Sequence, residues 1–157
     1  LVKFFSLADL RAALRHIQKP IKSNEETITP NIISEAPIAT VMIVDDNEIN
    51  ISTLADFLST QNLKIASVKS GVDFLTQISN VQPDIVLMDI QMPGMDGLQV
   101  LEVLSRRNGK SGIILMSDTN EELAGAVAMS KERGLKLIGA LIKPFDLKQV
   151  KEVLQFA

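Results

Sequence analysis

Pro83-Asp84-Ile85-Val86-Leu87-Met88-Asp89, followed by Ile90-Gln91-Met92-Pro93-Gly94-Met95-Asp96-Gly97, decides the fold. The strand expected from Asp84 to Met88 is short and continuously apolar from Ile85 on, as a strand buried on both faces must be. It ends in an acid, Asp89, and passes into a Pro-Gly turn. A helix is expected from about Gly97 to Leu104, where Leu98, Leu101 and Leu104 repeat every three residues. Strand, acid, turn and helix in that order make one β-α unit of a parallel sheet.

The same unit recurs on both sides. Upstream, Val41-Met42-Ile43-Val44 reads as a strand, and Ile51, Leu54, Ala55 and Leu58 form one face of the helix after it. Leu63 to Val68 is a second strand and Val72 to Ile78 a short helix. Downstream, a strand from Gly112 to Met116 precedes a helix from about Asn120 to Arg133. A strand over about Leu135 to Ile142 precedes a last helix with Leu147, Val150 and Leu154 on one face. Five β-α units predict an α/β fold, a flavodoxin-like doubly wound parallel sheet of strand order 2-1-3-4-5 with helices on both faces.

Ligands of such sheets bind beyond the carboxyl ends of the strands. Polar residues cluster there in this chain. Asp45 and Asp46 follow strand one, Asp89 ends strand three, Ser117 strand four and Lys143 strand five. Adjacent strands lie ~4.8 Å apart, so the three acids would share one small pocket, and the long Lys143 side chain can cross two strand spacings. Three carboxylates repel one another, which a hard divalent cation relieves; Mg²⁺ suits an oxygen-only site. A carboxylate is also a competent nucleophile toward phosphorus. The equatorial oxygens of a phosphoryl group in transfer need neutralising, and Lys143, the Ser117 hydroxyl and a cation would supply that.

Each residue has a plainer reading. Asp46 or Asn47 could cap the first helix. Asp89 could open the turn toward Pro93-Gly94, and Lys143-Pro144 could be an ordinary strand exit. These readings must together explain acid, acid, hydroxyl and base at the ends of four strands, which is a large coincidence.

Val44-Asp45-Asp46-Asn47, the run Asp89 to Gly97, Met116-Ser117 and Lys143-Pro144-Phe145 resemble the response-regulator receiver family over roughly residues 40–157. The resemblance implies that Asp89 is the phosphoacceptor, serving a histidine kinase or phosphotransfer protein. It implies that Asp45, Asp46 and Asp89 hold Mg²⁺ with the backbone carbonyl of Gln91. It implies that Ser117 and Lys143 are the hydroxyl and lysine that support catalysis. It further implies an output domain in the same longer chain, and it is compatible with a homodimer. One position departs: three residues before the lysine, where the family often has Tyr or Phe, this chain has Ala140. A methyl group cannot rotate between buried and exposed states, so signal output by that route is in doubt. Gly134 to Pro144 is similar to receivers fused to cyclic-di-GMP phosphodiesterase domains.

Ahead of the receiver-like region, Lys19 to Ala39 reads as a linker interrupted by Pro20, Pro30 and Pro37. Residues 1–18 form a helical extension with Leu7, Leu10, Leu14 and Ile17 on one face. Leu1-Val2-Lys3-Phe4-Phe5-Ser6-Leu7 parallels Leu141-Ile142-Lys143-Pro144-Phe145-Asp146-Leu147, so the extension is either the tail of a preceding receiver or an unrelated helix. The first residue, Leu1, leads to the expectation of a piece of a longer protein. His16 lacks the acidic neighbour of a phosphorylated kinase histidine and reads as a solvent-facing helix residue.

Composition narrows the alternatives. The chain of 157 residues has no cysteine and one histidine, which removes disulfides, thiolate catalysis and Cys/His metal sites. A net charge of −3 argues against direct nucleic-acid binding. No apolar run reaches the ~18 residues that span a bilayer, and no signal peptide opens the chain, so the expected compartment is the cytoplasm. An aspartate-nucleophile phosphatase would usually carry a second Asp where Gln91 stands. A flavin site would need a Ser/Thr/Gly-rich loop where Asp45-Asp46-Asn47-Glu48 stands. A degenerate receiver acting as a docking module differs from the main reading only in output. In the main reading the chain is a phosphoacceptor and not an enzyme acting on other substrates.

Overall fold

The computed structural model describes residues 39–155. The expected helical extension over 1–18 and, Ala39 apart, the linker over 19–39 lie outside the described residues. Among the described residues there are five parallel strands: β1 (Thr40–Val44), β2 (Lys64–Val68), β3 (Ile85–Asp89), β4 (Gly112–Ser117) and β5 (Leu137–Ile142). Their order is β2-β1-β3-β4-β5, as expected. The helices are α1 (Glu48–Ser59), α2 (Gly71–Val81), α3 (Gly97–Arg106), α4 (Asn120–Glu132) and α5 (Leu147–Gln155).

Period-two alternation divides the apolar residues between the two faces of the sheet. Met42, Val44, Val86, Met88, Ile113 and Leu115 face one way, against Phe74 of α2, Val100 and Leu101 of α3, and Leu123 of α4. Val41, Ile43, Ile85, Leu87, Ile114 and Met116 face the other way, against Leu54 and Leu58 of α1 and Val150 and Leu154 of α5. Strands β1, β3 and β4 are covered on both faces, which is why they are nearly pure apolar runs.

Strand β5 breaks the alternation. The β4–β5 register shifts between Ile113 and Ile114, which pair with Leu137 and Gly139, so Ile138 is an extra residue. The bulge turns Ile138 to the same face as Leu141. Its side chain fills the space over Gly112, where an added Cβ would lie 2.0 Å from Ile138 Cδ1. Strand β5 therefore starts at Leu137, two residues later than the apolar pattern suggests.

Gly97 positions the site from below. A Cβ there would meet the Asp89 carbonyl oxygen and Ile90 Cα at 2.7 Å, both backbone atoms. Only glycine lets the start of α3 sit this close to the end of β3. The Gly97 N–H donates to the Ile90 carbonyl at 2.8 Å, which secures the contact.

Candidate functional site

The sheet register sets the site. Val44 pairs with Met88 across β1 and β3, so Asp45 and Asp89 emerge side by side one residue further on. Asp89 pairs with Met116, which brings Ser117 next to it in line, and the Lys143 N–H donates to the Ser117 carbonyl at 2.8 Å. All four side chains therefore leave the same edge of the sheet.

Three of these strand ends share one local geometry. The side-chain oxygen of Asp45 accepts from the Asn47 N–H at 2.8 Å, that of Asp89 from the Gln91 N–H at 3.2 Å, and that of Ser117 from the Thr119 N–H at 3.2 Å. Each polar side chain ties down the turn that follows it. The plain reading of Asp89 as a turn residue is thus correct and compatible with a further role, because only one of its oxygens is used this way.

The helix cap is also resolved. Asn47 caps α1, its side chain accepting from the Ile49 and Asn50 N–H groups at 2.9 and 3.3 Å. Asp46 is not the cap. It is exposed, while Asp45 and Asp89 are buried, yet carboxylate oxygens of all three lie within 4.8 Å of one another. An all-oxygen donor set of three acids in so small a space fits a hard divalent cation.

Lys143 lies among these acids. Its ammonium is 3.1 Å from Asp89 Oδ2 and 3.3 Å from Asp45 Oδ2, with 16% of its side chain exposed. Burial pulls the ammonium down, but Asp89 and Asp45 outweigh burial and hold its pKa above the ordinary 10.5. Lys143 is therefore a cation at every physiological pH. Burial pushes the Asp89 carboxyl up from 3.8 to about 6, against the hydrogen bond and charge of Lys143; the neighbouring Asp45 charge adds to the rise. Asp89 is ionised at neutral pH, but with little margin.

Two partners went unnoticed in the sequence. Asn50 donates from Nδ2 to Asp45 Oδ2 at 3.2 Å and so shares that oxygen with Lys143. Glu122 accepts the Ser117 hydroxyl on Oε2 at 3.0 Å. The signal for Glu122 was present: Thr119-x-x-Glu122 has the spacing of a helix capping box. Nothing in the local pattern marks Asn50. Ala140 is buried at 7% exposure and packs in the core between the sheet and α2, α3 and α4.

The comparisons with known proteins agree with this geometry. The family model described as the response regulator receiver domain matches residues 41–155. The hybrid signal transduction histidine kinase L of Dictyostelium discoideum is 34% identical over 123 residues, covering 73% of this chain and 7% of its own length. The DNA-binding transcriptional activator EvgA of Escherichia coli K12 is 32% identical over 111 residues, covering 65% of this chain and 54% of its own. The chain thus spans about half or less of the length of these relatives. Among solved structures, a CheY-like response regulator receiver domain protein from Methanospirillum hungatei superposes with a TM-score of 0.65 at 26% identity, over 74% of this chain and 91% of that one. With the family match spanning most of its length, the chain belongs to the response regulator receiver domain family, a signalling domain of two-component systems.

Proposed function

We propose that Asp89 accepts a phosphoryl group from the phosphohistidine of a histidine kinase or phosphotransfer protein. The observation that carries this is the buried carboxylate of Asp89 held between the Lys143 ammonium at 3.1 Å and two further acids. An Asp89 oxygen attacks phosphorus as the P–N bond to the partner's imidazole breaks, and the bonding pair leaves with the imidazole nitrogen. The carboxylate carries no proton to remove above pH 6, so no general base is needed. Lys143 neutralises one phosphoryl oxygen and the Ser117 hydroxyl donates to another.

In this reading Asp45, Asp46 and Asp89, with the Gln91 carbonyl, would hold Mg²⁺, which when bound would supply positive charge against the phosphoryl oxygens. The product is an acyl phosphate on Asp89, and its hydrolysis resets the domain. The chain then turns over no substrate but its own phosphoryl group. The signal passes to an output domain in a longer chain, for which a cyclic-di-GMP phosphodiesterase is one form. Residues 40–157 are the receiver, 19–39 a linker, and 1–18 either the tail of a preceding receiver or an unrelated extension. A cytoplasmic setting follows from the same reading; no helix among the described residues is long and apolar enough to cross a membrane.

The test is direct. With Mg²⁺ and acetyl phosphate, intact-mass spectrometry should show one added phosphoryl group, and Asp89→Asn should abolish it because an amide is a poor nucleophile. Undiminished labelling of Asp89→Asn would place the modification elsewhere.

A further inference from the structure

Helices α3 and α5 begin with closed capping boxes. At α3, the Gln99 N–H donates to Asp96 Oδ1 at 2.9 Å and the Asp96 N–H donates back to Gln99 Oε1 at 3.0 Å. At α5, Gln149 and Asp146 exchange the same two bonds at 2.8 and 2.9 Å. Helix α4 has the right residues at the right spacing, Thr119 and Glu122, but only half the box is closed. The Glu122 N–H donates to Thr119 Oγ1 at 3.3 Å. The returning bond is missing, and Ser117 stands in its place. Its hydroxyl oxygen accepts from the Thr119 N–H at 3.2 Å, and its proton goes to Glu122 Oε2 at 3.0 Å.

A serine hydroxyl has one proton to give. While that proton is on Glu122 it cannot serve a phosphoryl oxygen on Asp89. If it leaves, two groups lose a partner: the Thr119 N–H, a donor, and the Glu122 carboxylate, an acceptor. These are the two groups that close a capping box. The departure of Ser117 therefore strands nothing, because its former partners satisfy each other, as the equivalent pairs already do at α3 and α5. A residue serving only as a helix cap would show the closed box in this structure, as Gln99 and Gln149 do.

We propose that Glu122 is a positioning residue that holds the Ser117 hydroxyl away from the phosphoacceptor, and that phosphorylation exchanges this bond for a closed Thr119–Glu122 capping box. The exchange rests on the reading of Asp89 as the phosphoacceptor. It gives the start of α4 two discrete hydrogen-bonded states, each with its polar groups satisfied, which is what a switch requires. Glu122 also lines a cleft of about 440 Å³ with Gln91, Met92, Pro93 and Asp96, so its movement is felt at the surface beside the β3–α3 loop.

The Thr119 amide reports the exchange in ¹H–¹⁵N spectra, since a bond to a carboxylate is stronger than one to a hydroxyl. Ser117→Ala removes the hydroxyl without phosphorylation, so its Thr119 amide proton should move downfield, and Glu122→Ala in that background should reverse the move. In the parent, acetyl phosphate with Mg²⁺ should shift Thr119 the same way. That shift should persist in Glu122→Gln, whose amide oxygen can close the box as Gln99 does, and be lost in Glu122→Ala. An unmoved Thr119 amide in Ser117→Ala, or an equal phosphorylation shift in Glu122→Ala, overturns the proposal. Failure of the parent to gain mass would instead overturn the assignment of Asp89, while the Ser117→Ala spectra would still decide whether Glu122 closes the capping box once the hydroxyl is gone.

Discussion

The Lys143 ammonium sits 3.1 Å from Asp89 Oδ2, although Asp89 ends β3, Lys143 follows β5 and β4 lies between those strands. It is also shared with Asp45 at 3.3 Å, so one cation balances two buried carboxylates. Lys143→Ala should leave those acids uncompensated. Breaking a buried pair from one side costs about 3–5 kcal/mol in a dry interior, and this partly solvated site should lose less. A divalent cation restores the missing charge, so Mg²⁺ should raise the melting temperature of Lys143→Ala by more than that of the parent. Thermal melts with and without Mg²⁺ make the comparison; a mutant blind to Mg²⁺ would show that Lys143 helps to build the metal site.

Mg²⁺ itself should stabilise the parent, because the three acids converge only in the folded chain. At about ten times its Kd, a ligand specific to the folded state adds about 1.4 kcal/mol. Asp46→Ala should remove most of that gain while changing the metal-free melting temperature little, since Asp46 is exposed and spends no helix cap. Differential scanning calorimetry in millimolar Mg²⁺ reads both effects, and a parent that does not respond would refute a cation site here.

The pKa of Asp89 gives stability a pH dependence with a definite sign. Its folded value of about 6 lies above the ordinary 3.8, so between these pH values the unfolded chain ionises while the folded one keeps its proton. The contribution of Asp89 to stability therefore falls as pH rises from 4 to 6 and stays at its low level above 6. The rise from 3.8 to about 6 corresponds to at most about 3 kcal/mol. In chelator-treated buffer, Asp89→Asn should be more stable than the parent at pH 7.5, and the advantage should vanish toward pH 4. Urea melts at the two pH values test it; an advantage independent of pH would mean that the carboxylate charge is not the cause.

Gly97→Ala should be destabilising by about 1–3 kcal/mol, the usual cost of forcing atoms into a packed site. The new methyl would press on the Asp89 carbonyl and Ile90 Cα, and neither backbone atom can swing aside. Because the strain falls on the phosphoacceptor's own residue, labelling by acetyl phosphate should slow as well. Loss of stability with unchanged labelling would show that α3 moves away and Asp89 stays in place.

The fold and most of the site were legible in the chain itself. Apolar runs of four to six residues, each followed by an amphipathic stretch, dictate parallel strands and crossover helices, and right-handed crossovers leave few arrangements. Once the strand order is set, the residues after Val44, at Asp89, at Ser117 and after Ile142 must come together, because side chains at one edge of a sheet are carried by the backbone. What the tertiary structure alone decided is which atom pairs with which. Asp45 and Lys143 are 98 positions apart, and whether an ammonium meets one carboxylate or two depends on rotamers and register. Asn47 rather than Asp46 takes the cap, freeing Asp46 for the pocket. The bulge at Ile138 arises because Gly112 leaves a space that only a neighbouring strand can fill. Glu122 has the spacing to close its own capping box and instead accepts the Ser117 hydroxyl. Local pattern records which residues can bond; packing between distant segments selects the bond that forms.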